Sequence, residues 1–110
     1  MRRDGALIPA AALSGALAIG AGAFGAHLAQ GQAIEWLRTG AMYQLIHAVA
    51  VLVVAARSPR AAALMLVGAT VFAFSLYAMA IGAPRWLGAI TPLGGVAMIA
   101  GWLTLAFRRG

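Results

Sequence analysis

Cysteine is absent from this chain, every basic residue is arginine, and only Asp4 and Glu35 carry negative charge against eight arginines. Without thiols there is no disulfide, no thiolate metal site and no cysteine nucleophile, and the redox compartment leaves no trace in the sequence. The shortage of acids removes paired carboxylates, because Glu35 stands at the edge of an apolar run and Asp4 in the tail beside Arg2 and Arg3. Two histidines with no cysteine, third histidine or nearby carboxylate do not complete an ordinary zinc site. An enzyme needs a nucleophile beside a base, paired carboxylates or a metal, and none is legible here, so no enzymatic activity is expected.

Charge is also missing from long stretches, and that absence identifies the solvent. At 110 residues, 64% hydrophobic and 9% charged, a soluble domain could not bury so much apolar surface against itself. Lipid must cover the remainder. A helix needs about 20 apolar residues to cross roughly 30 Å of hydrocarbon. Four such segments, near residues 6–28, 41–56, 61–81 and 86–107, almost exhaust the chain. The expected fold is an all-α integral membrane four-helix bundle forming a single domain over residues 1–110.

The formal charge of +6 does not point to nucleic acid, because the arginines stand in ones and twos at segment ends rather than in a stripe. In a four-span topology Arg2, Arg3, Arg57, Arg60, Arg108 and Arg109 share one side. Arg38 and Arg85, partly offset by Glu35, share the other. The positive-inside rule then places both termini and the Arg57–Arg60 turn in the cytoplasm. Arg2-Arg3, an apolar run and Ala21-Gly22-Ala23 imitate a secretory signal. The run exceeds a usual signal core, however, and its removal would break the arginine pattern. Asp4-Gly5 after the arginine pair likewise argues against a twin-arginine signal.

Small residues Ala11, Gly15, Ala18, Gly22, Gly25 and Ala29 step by four and three along one face of the first span, away from Leu13, Leu17, Phe24 and Leu28. Such a seam admits a neighbouring backbone at a shallow crossing angle. Gly68, Ser75 and Gly82 make a second small face in the third span, roughly opposite Thr70 and Tyr77, so Ser75 reads as a packing residue rather than a nucleophile. Gly94, Gly95 and Gly101 are packing candidates in the fourth. Met42, Met65, Met79 and Met98 read as apolar filler.

Residues 30–40 form the only polar stretch of any length, with Glu35 and Arg38 three apart and Ile34, Trp36 and Leu37 suited to a short interfacial helix. Trp36 and Trp86 would mark one interface and Trp102 approach the other. Ser58-Pro59 reads as cap and first residue of the third helix. Pro92 either kinks a helix begun near Trp86 or follows a Thr91 cap, and the kink is favoured because a start at Pro92 leaves only about 24 Å to Phe107.

The remaining chemistry lies in few side chains. Tyr43, Gln44 and His47 share one face within a turn of the second helix, and His27, Tyr77 and Thr91 stand at similar depth on the others. These six form a candidate polar cluster. It can be interhelical hydrogen-bond glue, a solute or ion site, or, through His27 and His47 alone, a pair of axial haem ligands. His27 points well away from the small-residue seam. No cofactor is otherwise implied.

Gly22-Ala23-Phe24-Gly25-Ala26-His27, Tyr43-Gln44-Leu45-Ile46-His47-Ala48, Ser75-Leu76-Tyr77, and Ile90-Thr91-Pro92-Leu93-Gly94-Gly95 with Gly101-Trp102 together resemble the successive motifs of the YgdD-like family of small inner-membrane proteins. The resemblance covers nearly the whole chain in order. It implies four spans, a bacterial plasma-membrane location and relatives among eukaryotic membrane proteins, but no activity, because the family is one of unknown function. Ala73-Phe74-Ser75 departs from the Ser-Gly-Ser usual there. Two roles are therefore expected: an accessory, assembly or stabilising subunit of a larger membrane complex, with lipid and other subunits or itself as partners, or an oligomeric small-solute or ion carrier. Proton-coupled cationic drug export is disfavoured, since the first span has no glutamate.

Overall fold

A computed structural model describes residues 5–107, so Arg2, Arg3, Asp4, Arg108 and Arg109 of the charge pattern lie outside the described residues. The chain forms α1 (Leu7–His27), α2 (Gln32–Val54), α3 (Pro59–Ala80), a 3-10 helix (Arg85–Ala89) and α4 (Thr91–Ala106). Short connections make the four helices run up, down, up and down. All four are long and apolar enough to cross a membrane, the last one counted from Arg85.

The turns follow local chemistry. Gly31 takes φ 62° at the start of α2 and Gly82 takes φ 110° after α3. Both lie in the region that a Cβ disfavours. Gly82 thus belongs to a turn, not to the α3 face expected for it. At the α2–α3 turn the Ala61 amide donates to Ser58 Oγ at 3.4 Å, and Pro59 opens the helix where its missing N–H is harmless. That agrees with the cap expected there.

Two boundaries differ from the expected ones. The polar stretch 30–40 is not a separate interfacial segment, because α2 runs unbroken from Gln32. No residue between Gln32 and Gly40 breaks the helix, and burial of Leu37 and Gly40 draws the first turns into the bundle. At the other site, Ile90 stays right-handed between the 3-10 helix and α4, with Pro92 in the first turn of α4. The helical path therefore changes type before Pro92 rather than kinking at it. Five 3-10 residues at about 2 Å each and sixteen α residues at 1.5 Å give a rise of about 34 Å, enough to span.

Helices pack in chain order, α1 on α2, α2 on α3 and α3 on α4; α1 touches α3 lightly, and among the described residues α4 makes no close backbone approach to α1 or α2. The small-residue seam of α1 faces α2. A Cβ added at Gly22 would lie 3.6 Å from Ala41 Cβ, one at Gly15 would lie 3.8 Å from Ala48 Cβ, and one at Gly25 only 2.9 Å from Leu37 Cβ. The α3–α4 contact is tighter. A Cβ at Gly94 would meet the Phe72 backbone N at 2.5 Å and the Gly68 O at 2.6 Å, and one at Gly101 would sit 2.7 Å from Met65 Cγ. Gly95 faces open space. An added Cβ there would meet nothing within 4 Å, unlike one at its neighbour Gly94. An apolar cluster centred on Val51, Ala55, Ala62 and Met65, with Ala11 from α1 and Leu105 from α4 against it, closes the end where α2 turns into α3.

Close approach of backbone to backbone leaves no room for side-chain adjustment, so Gly94→Ala should destabilise the protein by about 1–3 kcal/mol. Gly95→Ala should stay within about 0.5 kcal/mol of the parent. Reversible unfolding in mixed detergent micelles distinguishes the two, and equal effects would contradict this packing.

Candidate functional site

Gln44 is the centre of the polar layer. It is 1% exposed, one turn after Gly40, where α2 lies close against α3. Its Nε2 donates to Ser14 Oγ of α1 at 3.1 Å, and its Oε1 accepts from the Tyr77 hydroxyl of α3 at 2.6 Å. One amide thereby joins three helices. Tyr77 reaches it because Gly40 has no side chain: a Cβ there would lie 2.7 Å from Tyr77 Cε1.

His47, also buried, makes a second set of bonds one turn further along α2. The Trp102 indole N–H donates to His47 Nε2 at 3.0 Å, while His47 Nδ1 lies 2.7 Å from the Tyr43 carbonyl oxygen. An indole nitrogen can only donate, so Nε2 accepts and the ring proton resides on Nδ1, directed at that carbonyl. Both nitrogens being engaged, His47 offers no lone pair to a haem iron, and the donor set does not fit the two-histidine ligation that the sequence left open. The Tyr43 ring stacks near His47 and packs on Phe72 of α3, with ring centroids 6.4 and 4.9 Å apart, while Trp102 meets His47 edge-on.

A third contact joins α3 and α4. Ser75 Oγ donates to the Phe72 carbonyl at 2.8 Å and lies within hydrogen-bond distance of Thr91 Oγ1. Ser75 is thus a packing residue in direct polar contact with the next helix. Thr70 and Thr104 turn their hydroxyls onto carbonyls of their own helices. Among the described residues no buried side-chain nitrogen or oxygen lacks a partner.

Of the six clustered positions, the fold brings Gln44 to Tyr77 and Tyr43 to His47, and pairs Thr91 with Ser75. His27 stands apart, exposed at the end of α1, and its side chain makes no hydrogen bond to a described residue. Two members escaped sequence reasoning. Ser14 is the only hydroxyl of α1 and lies on its small-residue face, a signal that was available. Trp102, read from the sequence only as a residue near an interface, sends its indole N–H to His47 while much of its ring stays exposed. It lies four residues before the end of α4 and His47 seven before the end of α2, so at 1.5 Å per residue the two differ by only about 4.5 Å in level.

At the other end of the molecule, Arg38 pairs with Glu35 at 3.3 Å on an exposed surface, where such a pair contributes little. The Arg85 guanidinium lies 5.6 Å from the Trp36 ring centroid, tying the loop before α4 to the start of α2.

Hydrogen bonds inside membranes average about 0.6 kcal/mol and reach about 1.7 kcal/mol. A double-mutant cycle of Gln44→Leu and Tyr77→Phe should return a coupling energy of about 0.5–2 kcal/mol. Strict additivity would mean that the Gln44–Tyr77 bond does not hold α2 to α3.

The chain is similar to known membrane proteins. A family model described as "Protein of unknown function (DUF423)" matches residues 21–95, a stretch that includes Gln44, His47, Tyr77 and Thr91. A "UPF0382 membrane protein" of Haemophilus influenzae is 37% identical over 107 residues, covering 87% of this chain and 86% of that protein. The "UPF0382 membrane protein YwdK" of Bacillus subtilis is also 37% identical, covering 86% and 87%. The "UPF0382 inner membrane protein YgdD" of Escherichia coli K12 is 36% identical over 104 residues, covering 84% and 79%. No solved structure matches. A four-span helical chain with these relatives over most of its length is a small membrane protein, and it belongs to the DUF423 family of unknown function.

Proposed function

We propose that this chain is a non-enzymatic accessory, assembly or stabilising subunit of a larger complex in the bacterial inner membrane. One observation carries the reading. The polar side chains at membrane depth bond to one another or to their own helices, while α1 and α4 keep long apolar faces that no other helix covers. Leu13, Leu17 and Ile19 project from α1; Val96, Ile99 and Leu103 project from α4 beside the open position at Gly95. The glycine seams, attractive as docking surfaces in the sequence, are occupied within the chain. A partner helix would therefore engage these outer faces instead. The carrier reading needs Tyr43, Gln44 and His47 to line a path, and their mutual bonding supports it less well.

Photo-crosslinking residues at Ile19 and Ile99, in cells, should each trap the same membrane protein at fixed stoichiometry, whereas one at buried Met65 should trap none. Crosslinks to lipid alone would overturn the proposal.

The arginines of the sequence support an orientation with both termini in the cytoplasm, as a four-span topology puts Arg2, Arg3, Arg57, Arg60, Arg108 and Arg109 on one side and only Arg38 and Arg85 on the other. Cysteines introduced at exposed Gln32 and Ala56 test it. A membrane-impermeant thiol reagent added outside spheroplasts should label Gln32→Cys and spare Ala56→Cys; the reverse pattern would invert the topology.

A further inference from the structure

Among the described residues α2 and α4 make no close backbone approach, and at the end where α2 turns into α3 the gap between them opens into a cleft of about 630 Å³. Val53 and Val54 of α2 line it, together with Ala56 and Arg57 of the turn that follows and Leu105 of α4. Trp102 and His47 bridge the same gap deeper in the span. Val54 follows His47 by seven residues and Leu105 follows Trp102 by three, spacings that keep each pair on one helix face. Packing fixes the walls. Leu105 rests on the apolar cluster of Val51, Ala55 and Met65, and the Arg57 amide donates to the Val54 carbonyl at 3.1 Å, which holds Arg57 within a turn of the aliphatic wall.

The cleft therefore joins a cation to valine and leucine side chains, and it does so at a particular depth. α2 stops at Val54 and α3 starts at Pro59, so this is the level where hydrocarbon gives way to headgroups. We propose that the cleft binds one phospholipid, with the phosphate at the Arg57 guanidinium and an acyl chain along Val53, Val54 and Leu105. The volume lies in the range of ligand sites, about 300–1,000 Å³. A guanidinium carries five N–H donors in a planar fork, so it can bond a phosphate alongside other contacts. A second copy of the chain, its spans parallel to the first, would bring its own Arg57 and Arg60 to this level, and like charges oppose that occupant. The assignment depends neither on the accessory-subunit reading nor on which leaflet holds this end.

Native mass spectrometry of the full chain in mild detergent, titrated with dioleoyl phosphatidylglycerol, tests it. The parent should take up one lipid before any other. Arg57→Gln should weaken that first binding about fivefold while leaving dioleoylglycerol, which lacks the phosphate, unchanged. Arg60→Gln removes an exposed cation from the same end without touching the cleft lining, and should have a much smaller effect. Val53→Trp, which crowds the cleft from an exposed position, should weaken both lipids, and Ala56→Trp should do likewise if the first variant unfolds. Excess inorganic phosphate should not displace the lipid. Equal losses in Arg57→Gln and Arg60→Gln, unaltered binding in the folded cleft variants, displacement by inorganic phosphate, or a bound mass equal to a second chain in place of the lipid would overturn the proposal.

Discussion

A polar side chain at membrane depth has no water to fall back on, and the rest of this structure is arranged around meeting that condition for Gln44. Its amide needs a donor and an acceptor from outside its own helix, and it finds them in Tyr77 and Ser14. Meeting both at once sets the rotation of α1, α2 and α3 about their axes. A turned α2 would leave the amide facing lipid or apolar side chains, at a cost of several kcal/mol for each unsatisfied group. The glycine at Gly40 and the small residues along α1 are the steric counterpart, for they let the helices come close enough for short side chains to bond.

α3 is the element on which the others depend. One of its faces, with Tyr77, turns to α2, and the opposite one, with Gly68 and Ser75, turns to α4. Because lipid chains are as apolar as leucine, no hydrophobic force between helices drives such contacts, and close packing with a few hydrogen bonds must hold them. The backbone approach of Gly94 to Phe72 and Gly68 is the clearest instance. α4 has no backbone contact with α2, so Trp102 bridges the gap to His47 with its side chain alone.

This economy leaves large apolar faces of α1 and α4 uncovered within the chain. Many large apolar residues on them are more than half exposed, a burden in water but ordinary in lipid. The same openness that lets α1 part from α3 leaves a lateral apolar groove between them. Packing and the uncovered apolar faces are thus consequences of one row-like order of helices.

Hydropathy and arginine spacing by themselves determined the class, the four spans and the Ser58–Pro59 start of α3, because each depends on a segment's own residues and on the thickness of the hydrocarbon. The small faces of α1 and α3 and the shared face of Tyr43, Gln44 and His47 were legible for the same reason, being set by 3.6-residue periodicity. Partners were not. That the α1 seam meets α2, that Tyr77 reaches Gln44 while His27 stays apart, that the Trp102 indole reaches His47, and that residues 32–40 join α2 were decided only in the tertiary structure. Those outcomes depend on the order, depth and rotation of helices relative to one another, which arise from simultaneous satisfaction of contacts between segments and are carried by none of them alone.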